Sequence, residues 1–136
     1  MELDKSFAIA FSGMDAQSER LKVIAENLAN VDSTAQTPGG DPYKRKIISF
    51  QDTFDRTLGV DKVKVAGIRT IDEGLGRRYE PGHPAADASG YVTTSNVNSI
   101  TELMDMREAE RSYEANLNVI DAAKSMLSRI IDLLHG

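Results

Sequence analysis

The sequence predicts a mainly α chain with a small β-rich insert. Long N- and C-terminal helices pack as an antiparallel coiled coil, and a short-stranded unit lies between them. Three observations lead there. All four prolines lie between residues 38 and 84, and eight of the ten glycines lie between 39 and 90. Proline breaks helices and glycine weakens them, so the ends are free to be helical and the middle is not. Both ends carry apolar stripes at helical spacing, and the middle carries short period-two alternation.

The first stripe steps by fours and threes through Leu3, Phe7, Ala10, Met14, Gln17, Leu21, Ile24, Leu28 and Val31, and eight of these nine are apolar. That is the seam spacing of a coiled coil. Asp15, Glu19, Lys22 and Glu26 fall away from it. A helix over 3–31 follows, roughly 40 Å long at 1.5 Å per residue. Gly13 inside it is either a tolerated weak point or a close helix-helix contact. Asn30 is a candidate helix stop in the left-handed conformation.

The last stripe runs through Met106, Ala109, Tyr113, Asn116, Ile120, Ala123, Leu127, Ile130 and Leu134, widened by Leu103, Leu117 and Ile131. It is broader than a two-stranded seam requires, which implies more than one helical neighbour. Ser99 followed by Glu102 fits a capping box, so this helix starts near residue 100. Asn116 is either a register-setting stripe polar residue or a stripe-edge residue facing solvent. In between, Tyr43–Phe50 and Lys62–Ile68 are strand-like, with Arg77–Glu80 and Tyr91–Thr94 as weaker candidates. Residues 37–42 and 80–84 are rich in Pro and Gly and read as turns. The chain thus divides into terminal helices over 1–34 and 98–136 and a loop and small β-rich domain over 35–97.

Composition narrows the function classes. A net charge of −5 argues against nucleic acid, because phosphate contacts need clustered Lys and Arg. Lys44-Arg45-Lys46 and Arg77-Arg78 read as solvated strand or loop charges. The absence of cysteine removes disulfides, thiolate metal sites and cysteine nucleophiles. No stretch approaches the roughly 20 apolar residues of a membrane span. The acidic start, with an apolar run of only Phe7 to Phe11, does not read as a cleaved signal peptide. The two histidines, His83 and His135, stand in no metal-binding spacing, and no nucleophile elbow or phosphate-binding loop occurs. The expectation is therefore no catalytic residue, no metal, no cofactor and no small-molecule substrate. Two readings remain: a subunit of a many-bodied assembly, or a secreted coiled-coil adaptor binding a single partner bundle.

Ser12-Gly13-Met14, Gln17, Arg20-Leu21 and Asn27-Leu28-Ala29-Asn30 together resemble the N-terminal signature of flagellar rod and hook axial proteins. Arg111 to Asn116 with Lys124-Ser125-Met126 resembles their C-terminal signature. Pro42 to Lys46, Tyr79 to Pro84, Ala86-Asp87 and Gly90-Tyr91-Val92 are similar to the middle of the proximal-rod members. The chain departs from that pattern at Ser95, Glu110 and Glu26.

The resemblance implies a structural subunit of the periplasmic drive shaft, exported without a cleaved signal and stacked helically. Its terminal helices would line the inner tube that serves as the export channel. Its partners would be copies of itself, other flagellar rod proteins and the membrane-ring and export-gate base proteins. The expected assembly interface is Leu3, Phe7, Met14, Leu21, Ile24, Asn27, Leu28 and Asn30 on the first helix. On the second it is Met106, Tyr113, Asn116, Leu117, Ile120, Leu127, Ile130 and Leu134.

Overall fold

The computed structural model describes residues 2–136, so Met1 of the expected N-terminal helical segment lies outside the described residues. Helix α1 spans Glu2–Ala29 and helix α2 spans Ser99–His135. Between them come β1 (Lys46–Asp55), β2 (Val60–Thr70), β3 (Gly76–Tyr79) and β4 (Tyr91–Thr94). The expected mainly α chain with a β insert is what the molecule has. The first two strands extend further than alternation alone marks, and each of the two sheets has only two strands.

The helix ends use different chemistry from that expected. Asn98, not Ser99, caps α2: its Oδ1 accepts from the N–H groups of Ile100 (3.0 Å) and Thr101 (3.3 Å). Glu102 is thereby free of the capping-box role and is buried elsewhere. Asn30 is not left-handed, since no described residue other than glycine has a positive φ. It stops α1 through its side chain instead. Its Nδ2 donates to the Glu26 carbonyl (2.8 Å), and its Oδ1 accepts from the Ser33 hydroxyl (3.0 Å). The first of these bonds occupies a carbonyl that the last helical turn leaves unpaired.

Asp55 closes the turn between β1 and β2. Its carboxylate accepts from the N–H groups of Thr57 and Leu58 and from Lys62 Nζ at 3.0 Å. The pair β3–β4 is antiparallel, with Gly76 opposite Thr94 and Tyr79 opposite Tyr91. Gly90 precedes β4 at φ 84°, and a Cβ there would meet Tyr79 Cε2 at 2.8 Å, so no other residue fits the turn.

The chain forms two compact units, each taking part of both helices. One comprises the chain through Leu21, Ser49–Gly67 and Arg107–Gly136; the other comprises Lys22–Ile48 and Ile68–Met106. The buried residues of the first are small or aliphatic: Ala10, Ala16, Ala109, Ile120 and Ala123. Small side chains allow close helix approach, and Gly13 takes this furthest. A Cβ at Gly13 would lie 2.7 Å from Asn116 Nδ2, which donates to the Ser112 carbonyl at 3.1 Å. This favours the close-contact reading of Gly13 and places Asn116 against α1. Arg20 pairs with Glu108 at 3.5 Å in the same unit.

Replacing a mid-helix Gly with Ala gains about 1 kcal/mol where space permits. Gly13→Ala should show that gain only when Asn116→Ala removes the obstacle. In the native background Gly13→Ala should be neutral or destabilising by thermal unfolding. An equal gain in both backgrounds would contradict the contact.

Candidate assembly site

The second unit is organised around a buried amide. Asn27, one helical turn after Val23 and Ile24, is 1 % exposed. Its Nδ2 donates to the Lys46 carbonyl (2.9 Å) and to Glu102 Oε2 (3.2 Å). Its Oδ1 accepts from the Tyr43 hydroxyl (2.7 Å) and the Lys46 N–H (3.0 Å). All four hydrogen-bonding positions of the amide are filled. One side chain thereby ties the end of α1 to the start of β1 and to the first turn of α2.

Glu102, 0 % exposed, carries the next layer. Its Oε1 accepts from Arg45 Nε, and Arg45 Nη2 reaches Asp105 Oδ2 at 3.1 Å. A buried carboxylate is tolerated only when paired and hydrogen-bonded in this way. A second amide repeats the logic nearby. Asn96 Oδ1 accepts from the Arg45 N–H (2.6 Å), and its Nδ2 donates to the carbonyls of Ile71 and Glu73, both at 2.8 Å. Burial first, then the charges of Glu26 and Glu102, raise the Tyr43 phenol above its ordinary range.

The basic run Lys44-Arg45-Lys46 is therefore not a set of solvated charges. Arg45 is the partner of Glu102 and Asp105, Lys44 meets Asp72 at 2.9 Å, and Lys46 meets Glu26 at 3.2 Å. The bond to Asp72 is the main reason that the Lys44 ammonium titrates above its ordinary value. Arg77 and Arg78 do stay exposed, as expected, and make surface ion pairs with Asp87 and Glu80, each at 2.9 Å. His83 bridges its own loop to the segment that follows α1. Its Nδ1 accepts from the Ala85 N–H at 2.9 Å, which leaves Nε2 to donate to the Thr34 hydroxyl at 3.1 Å. Among the described residues no group of three or more His, Asp or Glu is placed to hold a metal. No described helix is long and apolar enough to cross a membrane.

The residues expected at an assembly interface fall into three groups. Ile24, Asn27 and Ile120 are buried within the chain. Leu3, Phe7, Met14, Leu21, Leu28, Asn30, Met106, Tyr113 and Asn116 are half-buried. Leu117, Leu127, Ile130 and Leu134 are exposed, with Leu134 at 80 %. Sequence reasoning missed Tyr43, Arg45, Asn96 and Asp105. No spacing rule links them, because 16 to 75 residues separate the partners joined to Asn27 alone.

With the geometry in view, comparison with known proteins defines the class first. Residues 7–35 match the family model described as "Flagella basal body rod protein", and residues 88–133 match "Flagellar basal body rod FlgEFG protein C-terminal". The two matches fall on the two helices and their flanks. Over nearly the whole chain the likeness is narrower. The flagellar basal-body rod protein FlgC of Agrobacterium fabrum is 46% identical over 134 residues, covering 98% of this chain and 96% of that one. The protein of the same name from Salmonella typhimurium is 41% identical over 133 residues, covering 98% of each. That of Borreliella burgdorferi is 38% identical over 154 residues, covering both in full. The chain belongs to the flagellar basal-body rod protein FlgC family.

Two outcomes test the site. Asn27→Ala strands the Lys46 N–H and carbonyl, the Tyr43 hydroxyl and one Glu102 oxygen. At about 1–3 kcal/mol per buried group left unpaired, the loss should reach roughly 3 kcal/mol or more. Asn30→Ala, half-buried with two local bonds, should lose much less in the same denaturant titration. The second test is acid. The N–H of Tyr91 above all, then that of Ser89 and the charge of Arg77, holds the Asp87 carboxyl below its ordinary value. A folded-state pKa below the unfolded one adds stability that is present above about pH 3.9 and lost as pH falls through the folded value. Asp87→Asn should flatten that acid limb of a stability-against-pH curve.

Proposed function

We propose that this rod protein works by helical assembly through its terminal helices, as a structural subunit of the periplasmic drive shaft and its central export channel. The observation that carries the proposal is the apolar surface of α2. Leu117, Val119, Met126, Leu127, Ile130, Ile131, Leu133 and Leu134 are all exposed, from 36 % at Leu127 to 82 % at Leu133. At 100° per residue they span roughly 200° of the helix. Isolated exposed apolar side chains are ordinary, but a contiguous band marks an interaction surface. A band this wide fits several neighbours better than the single partner of an adaptor.

An antiparallel coiled coil is the arrangement we propose for the helices themselves. Supporting it, Gly13 meets Asn116 and Arg20 meets Glu108, so the contacts advance along α1 while retreating along α2. Residues 1–34 and 98–136 then act as the assembly domain, and 35–97 as a middle domain facing other neighbours. The partners are copies of the chain, other rod proteins and the membrane-ring and export-gate base. Catalysis has no part in this reading.

Leu127→Asp and Ile130→Asp test it, since both positions are exposed and surface substitutions usually stay within about 0.5 kcal/mol. Each variant should melt like the native chain yet abolish swimming, with basal bodies that stop before the rod is complete. Normal swimming in both would remove the helical band from the assembly.

A further inference from the structure

The first compact unit contains an open groove of about 810 Å³ between α1 and β2. Its floor is apolar: Phe11, 55 % exposed, with Val63 and Val65. Its rims carry opposite charge. Asp15 and Glu19 stand on the helical side, one turn apart, and Lys64 stands on the strand side. Lys62, also on the strand side, is tied to Asp55 at 3.0 Å.

Two features limit what can lie there. The Val63 N–H donates to Ser12 Oγ at 3.2 Å, so at this point the strand does not offer its backbone to an added strand. Asp15, Glu19 and Lys64 on the rims are exposed rather than buried and aimed inward, which a small-molecule site requires. What remains is a set of apolar side chains presented on a helix.

The same chain carries such a helix. The α2 stripe is buried at Ala109, Ile120 and Ala123 but emerges into solvent beyond them: Ile130 and Ile131 are 46 % and 45 % exposed, Leu133 and Leu134 82 % and 80 %. At 100° per residue, Arg129 borders this apolar arc on the Leu133 side. A helix seated in the groove by this arc sets Arg129, at its Leu133 edge, against Asp15 and Glu19.

We infer that the last two turns of α2 dock in the α1–β2 groove of a second copy of this chain. The inference rests on the assembly reading above and specifies one of its contacts. Two different patches meet, so the contact is heterologous. Repetition extends it as a helix rather than closing it as a dimer.

The chain has no cysteine, so introduced thiols are the sole ones. Basal bodies from cells making Val65→Cys/Leu133→Cys, oxidised mildly, should yield a disulfide-linked ladder of this protein that neither single variant gives. Protein present in basal bodies but without the ladder, or cross-linked to a different protein, overturns the groove contact and leaves rod assembly standing. Protein absent from basal bodies in every variant, despite being made and folded, overturns the assembly reading too. A charge exchange decides the matter if the paired cysteines impair folding. Arg129→Glu should abolish swimming, and Asp15→Lys/Glu19→Lys should restore it. Losses that merely add overturn the inference.

Discussion

Asn27 is a primary amide with no charge and no reach, yet much of the second unit depends on it. Its two donors and two acceptor positions are taken by a strand backbone, a tyrosine and a glutamate from two separate stretches of chain, Tyr43 to Lys46 and the start of α2. A buried amide with all four positions filled is geometrically demanding. Any shift of α1, of Tyr43 to Lys46 or of the start of α2 breaks at least one bond, and an unmade bond in the interior is expensive. Apolar contacts are tolerant of sliding; this network is not. It therefore sets register where the aliphatic core, small and free of tryptophan, specifies little by itself.

The buried ion pair follows from the same constraint. Glu102 can be fully buried because Asn27 takes one of its oxygens and Arg45 the other. Arg45 in turn is held through its backbone by Asn96. Such a pair adds little net stability compared with well-packed apolar residues, but removing one partner is severe. Its value lies in specificity: it joins the end of one long helix to the beginning of the other through a fixed arrangement of charges. A subunit whose helices carry wide apolar bands needs that. Without polar register, those bands could pair in many ways.

The first unit is built on the opposite principle. Its buried residues are mostly alanine, and Gly13 lets Asn116 approach where any Cβ would obstruct it. Close backbones bury little apolar area per residue, and the larger aliphatic side chains of α2 are left outside. Exposed leucines and isoleucines and an alanine-lined core are thus one fact about partition. The first unit buries small residues and leaves the large aliphatic ones of α2 exposed.

Local periodicity and the placement of breakers sufficed for the helices, the turns and Tyr91–Thr94, because those depend on residues a few positions apart. The apolar stripes were likewise legible, being a property of one helix at a time. The same reasoning misassigned Ser99 as a cap and Asn30 as left-handed, since Asn98 lay one position earlier and a side-chain bond to Glu26 served as well. It also left Lys44 to Lys46 as solvent charges. Apart from Asp41 beside Lys44, their partners, Asp72, Glu102, Asp105 and Glu26, lie 20 to 60 residues away, and nothing local marks those. The sequence by itself determined where helices could exist and which side chains would share a face, because those follow from backbone sterics and period. Only the tertiary structure decided which polar groups meet, which stripe residues are buried and which stay exposed, because a hydrogen bond between distant segments exists only once the chain has brought them together.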